Sequence, residues 1–187
     1  YRIAIFASGE GSNAEYITNY FKGYDAINVV LIVSNRADVG VIKRAKRLKV
    51  PYLISPRDEL NSLKFLHLLK QQNINIIILA GFLLKIPIHL ITAFAHRIIN
   101  IHPALLPKYG GKGMYGNKIH KAVLLNKEKE SGITIHLVNE HYDEGEILFQ
   151  KSCKVMAGDN ISDLAHRIHQ LEYQFFPKII EEYINSF

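Results

Sequence analysis

The chain is 187 residues long, 48% hydrophobic and 21% charged, an ordinary globular balance with enough length to bury a core in one domain. A single cysteine, Cys153, excludes an internal disulfide and a Cys-rich metal site, and no apolar run approaches the roughly 18–20 residues of a membrane helix. The formal charge of +6 excludes less, since it suits nucleic acid and also a small polyanionic substrate.

Residues 2–7 read as a short apolar strand that begins at once, so no signal peptide is expected. With one cysteine, a reducing cytoplasm is the expected location. Gly9-Glu10-Gly11-Ser12-Asn13 joins this strand to a helix running to about Phe21. Such a turn can hold an anion on backbone N–H groups, or it can be a plain turn capped by Ser12 or Asn13. Its spacing is neither the Walker pattern nor a full dinucleotide fingerprint, because position 14 is Ala. Residues 27–34, rich in Val and Ile, read as a strand buried on both faces. Residues 35–38 turn into a helix ending near Leu48, where Lys43, Arg44, Lys46, Arg47 and Lys49 read as a solvated face. A short strand covers 52–55. Residues 58–72 read as one amphipathic helix with Leu60, Leu63, Leu66 and Leu69 at helical spacing.

Residues 74–80 form another buried strand closed by Gly81, and a helix over 87–94 leads to a strand over 98–101. Strands alternating with helices predict an α/β fold, a Rossmann-like, mostly parallel central sheet flanked by helices. Ligands of such sheets bind beyond the carboxyl ends of the strands, which puts 8–13, 81–86, 100–107 and the region near 143 on the functional edge. Further on, 109–116 is a Gly-rich loop, 117–127 looks helical, and strands over 133–138 and 147–155 flank a turn over 139–146. A last helix over 161–184 should put Ile161, Leu164, Ala165, Ile168, Leu171 and Phe175 on one face, with Pro177 kinking or dividing it. No repeat, linker or low-complexity tract interrupts 1–187, so a single catalytic domain is expected.

Asn100 and His102 end their strand two positions apart and so share a face. Either the histidine is a buried, satisfied core group, or the pair sets an amide donor beside a proton carrier, which suits a tetrahedral intermediate. Asp143, in Tyr-Asp-Glu-Gly, is either a turn residue or a carboxylate that raises the His102 pKa and orients its ring. His136, mid-strand on the face of Thr134, reads as a core or sheet histidine. His166 and His169 lie three apart on the last helix with no carboxylate or cysteine to join them. No zinc-helix spacing occurs either, so no metal is expected.

Gly11-Ser12-Asn13, Leu79-Ala80-Gly81-Phe82, Asn100-Ile101-His102-Pro103, Leu105-Leu106-Pro107 and Gly132-x-Thr134 with Asp143-x-Gly145 form a specific set. In order and spacing it resembles the folate-dependent phosphoribosylglycinamide formyltransferases of purine synthesis, over essentially the whole chain. The resemblance implies the formyltransferase fold and transfer of a formyl group from 10-formyltetrahydrofolate, as co-substrate, to the amine of glycinamide ribonucleotide. The amine would attack directly, with no metal and no covalent enzyme intermediate. It implies that Asn100 and His102 stabilise the oxyanion and that His102 donates a proton. Asp143 would keep His102 protonated and help carry the proton. Ribonucleotide binding is implied for Gly11, Ser12, Asn13, His169, Gln170, Leu171 and Glu172. Folate binding is implied for Arg57, Leu83, Leu84, Lys85, Ile86, Asn100, Asn139, Glu140, His141, Tyr142 and Asp143. Three departures stand out: Leu83-Leu84-Lys85 where relatives often have Met-Arg, Ala104 for a common Ser, and a longer, Gly-richer loop over 109–116. The implied partners are these two small molecules, with no nucleic acid and no membrane, in a monomer or homodimer.

Alternatives are a folate formyltransferase acting on methionyl-tRNA or an amino sugar, and formyltetrahydrofolate hydrolase. The former are expected to carry a second domain and to lack the Gly-Ser-Asn turn; the latter, to carry an N-terminal regulatory domain. A non-catalytic nucleotide-binding domain would need the turn but not Asn100, His102 and Asp143 together.

Overall fold

Strand β1 (Arg2–Phe6) has four buried residues after one exposed arginine, and it pairs in parallel with β2 (Asn28–Ser34). A strand buried on both faces has no solvent side to make polar, which is why the run reads Ile-Ala-Ile-Phe. β3 (Tyr52–Ile54) lies parallel beside β2, and β4 (Ile76–Leu79) lies parallel to β1 on its other side. The computed structural model describes residues 1–187, and the remaining strands are β5 (Ile98–His102), β6 (Glu130–Leu137) and β7 (Ile147–Lys154). The sheet order is β3-β2-β1-β4-β5-β6-β7, and β6 and β7 are antiparallel. This is the expected α/β fold with a mostly parallel sheet. No helix is long and apolar enough to cross a membrane.

Two compact units divide the chain, Tyr1–Ile99 and Asn100–Phe187. The first contains α1 (Ser12–Tyr20), α2 (Gly40–Leu48), α3 (Arg57–Leu60), α4 (Leu63–Gln71) and α5 (Ile88–Ala93). The single helix expected over 58–72 is therefore two. Ser62 leaves helical geometry at φ −87° and ψ 147°, and its hydroxyl caps α4 by accepting the Phe65 N–H at 3.2 Å. A short hydroxyl side chain competes for backbone donors and favours a cap over a helix interior.

The second unit contains α6 (Asn117–Leu125) and α7 (Ile161–Ile184). Asn160 and Asp163 form a capping box at the start of α7, each side chain accepting the other's backbone N–H. α7 is continuous through Pro177, so the helix is not divided there. Proline removes one ladder bond, but Pro177 is itself buried and its neighbours Phe176 and Ile180 pack into the same apolar stripe. That stripe runs Leu164, Ile168, Glu172, Phe176, Ile180 and Ile184, so Ala165, Leu171 and Phe175 lie on its half-exposed flank instead.

His120 on α6 is 2% exposed, and its pKa is lowered to about 4 by burial first and by the charge of His169 second. A histidine in the unfolded chain takes its proton near 6.5, so between these values the unfolded state binds more protons than the folded one. Stability accordingly falls as the pH drops from about 6.5 to about 4. Thermal melts at stepped pH should show a flatter dependence in His120→Leu; an identical dependence in both proteins would trace the loss to other groups.

Candidate active site

In the first unit, β1 runs out into the turn 8–11 and α1 begins. The N-cap of α1 is Gly11, in the left-handed region at φ 76° and ψ 26°, with no side-chain cap. A Cβ at Gly11 would lie 2.5 Å from the Val41 side chain, and positive φ disfavours any other residue there. The Gly9 carbonyl accepts the Val41 N–H at 3.0 Å, and the Glu10 carbonyl accepts Arg44 Nε–H at 2.8 Å. Since C=O and N–H point opposite ways across a trans peptide, these bonds turn the Glu10 and Gly11 N–H groups away from α2. The result is a helix N-terminus without a side-chain cap, a geometry that suits an anion. Arg44 and Arg47 both pair with Glu15, so two of the five cations read as a solvated face are tied down.

Ser8 fixes the loop 81–86. Its N–H donates to the Gly81 carbonyl at 3.1 Å, and its hydroxyl accepts the Leu83 N–H at 2.9 Å while donating to Asn35 Oδ1 at 2.6 Å. Within the loop Leu83 and Lys85 are exposed, Leu84 is half-buried and Ile86 is buried, and Arg57 is exposed at the start of α3.

In the second unit, β5 ends on Asn100 and His102, and β6 sets His136 beside them. Asn100 Nδ2–H donates to His136 Nε2 at 3.0 Å, and His136 Nδ1–H donates to the Leu137 carbonyl at 2.8 Å. The carbonyl can only accept, so Nδ1 of His136 carries a hydrogen; in the neutral ring Nε2 accepts the Asn100 amide, and it faces Asp143 as a donor only when the ring is charged. Asp143 stands between two imidazoles, its Oδ2 3.6 Å from His102 Nδ1 and its Oδ1 3.7 Å from His136 Nε2. His102 Nε2–H donates to the Tyr109 carbonyl at 2.8 Å, so Nδ1, facing Asp143, is the nitrogen that can gain or lose a proton. The structure thus brings Asn100, His102 and Asp143 together.

Burial lowers the pKa of His102, outweighing Asp143 and the Tyr109 carbonyl, which both raise it; His136 lowers it further. The carboxylate does raise this pKa, as expected, but burial outweighs it because His102 is only 4% exposed. Burial pushes the Asp143 carboxyl up, but the contact from His136, the charge of His102 and the Gly111 N–H outweigh it and hold the group below its usual value.

Two devices hold this geometry. Asp143 takes φ 57°, which aspartate tolerates, and Gly145 lies so close to β6 that a Cβ would fall 1.7 Å from the Leu137 carbonyl oxygen. Thr134 Oγ1 accepts the Leu106 N–H at 3.0 Å and Gln150 Nε2–H at 2.8 Å, and donates to the Ala104 carbonyl at 2.7 Å. The segment after His102 is thereby pinned to β6.

His136 is the residue that sequence reasoning missed. It is buried as expected, but it links Asn100 to Asp143 rather than merely filling the core. Its signal was its place on the face of Thr134, two positions along one strand. The remaining candidates of this unit lie apart in kind: Asn139, Glu140, His141 and Tyr142 occupy the turn between β6 and β7, with Asn139 Oδ1 accepting the His141 N–H at 2.9 Å. On α7, His169 and Gln170 are exposed, Leu171 is half-buried, and Glu172 is 5% exposed.

A family model described as formyl transferase matches residues 1–180. The chain is 40% identical over 186 residues to the chloroplastic phosphoribosylglycinamide formyltransferase of Arabidopsis thaliana, covering 96% of this chain and 64% of that protein. It is 34% identical over 188 residues to the phosphoribosylglycinamide formyltransferase of Bacillus subtilis, covering 97% and 93%. It spans 60% of a second plant relative, from Vigna unguiculata, and so less than two thirds of either plant protein. Among solved structures, phosphoribosylglycinamide formyltransferase from Bacillus halodurans superposes with a TM-score of 0.88 at 29% identity, covering 97% of this chain and 94% of that one. Glycinamide ribonucleotide transformylase 1 from Geobacillus kaustophilus gives 0.86 at 34% identity, covering 95% of each.

Replacing Thr134 by valine keeps the shape and leaves the Leu106 N–H and Ala104 carbonyl without their partner. Urea unfolding should show a loss of roughly 1–3 kcal/mol, the cost of buried polar groups left unpaired; a loss within error of zero would mean that the segment does not depend on this hydroxyl.

Proposed function

The chain belongs to the formyl transferase family, and on that premise we propose that it transfers the formyl group of 10-formyltetrahydrofolate to the amine of glycinamide ribonucleotide in purine synthesis. The observation that carries this reading is the run of contacts from Asn100 through the buried His136 and the half-buried Asp143 to the buried His102 at the end of β5. The reading includes one catalytic domain over 1–187, a cytoplasmic location suited to the lone Cys153, and a monomer or homodimer that takes no nucleic acid.

The amine nitrogen forms a bond to the formyl carbon, and the carbonyl oxygen becomes an oxyanion. One Nδ2–H of Asn100 is used by His136, and the other is available to that oxygen; His102 can join it only once Nδ1 carries a proton. The bond from carbon to the folate nitrogen then breaks. The amine must lose a proton and the departing nitrogen must gain one. His102, with its pKa lowered by burial, begins largely unprotonated at neutral pH, so Nδ1 can take the amine proton and return it. Asp143 stabilises the imidazolium in between, which keeps the proton on His102 while it is carried from the amine to the leaving nitrogen.

Gly11, Ser12 and Asn13 are assigned to the ribonucleotide phosphate, supported by the helix N-terminus without a side-chain cap. His169, Gln170, Leu171 and Glu172 are assigned to the rest of that substrate. The pterin is assigned to the backbone of 83–86 and to Asn139, Glu140, His141, Tyr142 and Asp143, and the folate tail to Arg57.

Incubation with both substrates should produce tetrahydrofolate only when the ribonucleotide is present; release without it would make the protein a hydrolase. Asn100→Ala and His102→Ala should each lower turnover by roughly 10²–10⁴, the range for an oxyanion donor or a proton carrier. Near-normal rates in the purified variants would remove both from the mechanism. Asp143→Asn takes away a group that raises the His102 pKa, so the limb of the pH–rate profile belonging to His102 should move to lower pH. An unmoved limb would separate Asp143 from that titration.

A further inference from the structure

Tyr109 stands at φ 59°, a left-handed conformation that a bulky L residue takes only where its surroundings impose it. Contacts at both ends of the residue impose it. Its carbonyl accepts His102 Nε2–H at 2.8 Å. Its hydroxyl donates to Glu128 Oε1 at 3.0 Å and accepts Asn126 Nδ2–H at 2.9 Å. Lys108 Nζ in turn holds both oxygens of Glu128, at 3.0 and 3.2 Å. Two residues further on, the Gly111 N–H donates to Asp143 Oδ2 at 2.9 Å. Between them, a Cβ at Gly110 would lie 2.7 Å from the Leu106 side chain and 3.4 Å from Asp143 Cβ. One three-residue stretch therefore grips both members of the His102–Asp143 pair, the histidine by a carbonyl and the aspartate by an N–H.

We propose that Tyr109 is a positioning residue that sets the tautomer of His102, and that Asn126 and Glu128 act on His102 through it. A carbonyl facing Nε2 requires a hydrogen on that nitrogen in both charge states of the ring. Proton exchange is then confined to Nδ1, opposite Asp143. Freeing the phenol lets the left-handed residue relax and the carbonyl turn away, and the neutral ring then distributes its hydrogen between both nitrogens. The charged or titratable groups facing His102 are Asp143 and His136, and those around the Tyr109 side chain are Glu128 and Lys108, with Glu130 beyond Lys108. The outer part of this anchor faces solvent: Lys108 is mostly exposed and the Glu128 side chain is 25% exposed. The inference rests on reading His102 as the proton carrier, yet the tautomer can be measured without turnover.

The test is long-range proton–nitrogen correlation NMR on the full chain carrying ¹⁵N-labelled histidine, titrated across pH, for the unsubstituted protein, Tyr109→Phe and Glu128→Leu. In the unsubstituted protein His102 should appear as the Nε2–H tautomer. Both variants should show mixed tautomers, a His102 midpoint at lower pH and a severalfold loss of turnover, with unchanged KM for both substrates. Glu128→Leu reads the same signal if Tyr109→Phe does not fold. A single Nε2–H tautomer persisting in the folded variants overturns the inference, as does a His102 that is not the Nε2–H tautomer to begin with. A changed tautomer with unchanged turnover supports the positioning role and removes His102 from the proposed chemistry instead.

Discussion

The Asp143 carboxylate shares a buried space with two imidazoles, and its neighbours are arranged around keeping it ionised. Burial by itself favours the neutral acid, because a charge loses its hydration there. His136, His102 and the Gly111 N–H reverse that preference. An ionised Asp143 then acts back on His102, where it opposes the desolvation that lowers the pKa of the ring. His102 is thus held between two opposing effects of one environment. A group so placed can take a proton and give it up within one cycle, which a firmly charged or firmly neutral ring could not do.

The strain at the centre is local and is carried by backbone. Asp143 and Tyr109 both take left-handed conformations within hydrogen-bonding or ion-pairing distance of His102, and each is over-determined by contacts on both sides. β6 supplies the rigid reference. Thr134 and His136 leave it on the same face, one pinning the segment that follows His102 and the other orienting Asn100. Gly145 presses the following turn against the Leu137 carbonyl, so Asp143 cannot drift away from the histidines.

In the first unit the same economy appears at the end of β1. Ser8 uses its N–H and its hydroxyl to fix the loop 81–86, while Val41 and Arg44 fix the carbonyls of Gly9 and Glu10. The cluster of cations on α2 is therefore partly structural: Arg44 bridges Glu15 and the turn rather than only meeting solvent. From sequence, a cation three residues from another on a helix face reads the same whether it is solvated or buttressing a loop, because its partner lies about thirty residues away in the chain.

The order of strands and helices, the buried character of β1, β4 and the second half of β2, and the shared face of Asn100 and His102 were all determined by the sequence alone. Each follows from a local period, two residues in a strand or 3.6 in a helix, that neighbouring residues express without outside help. The break at Ser62 and the unbroken α7 through Pro177 show where that locality ends, since a cap competes with periodicity in one case and packing overrides a breaker in the other. Only the tertiary structure decided that Asp143 stands 3.6 Å from His102, that His136 links Asn100 to it, and that the net pKa of His102 falls. Distances between residues about forty positions apart, and the loss of water around a ring, are set by what the whole fold packs against them, and no local pattern encodes either.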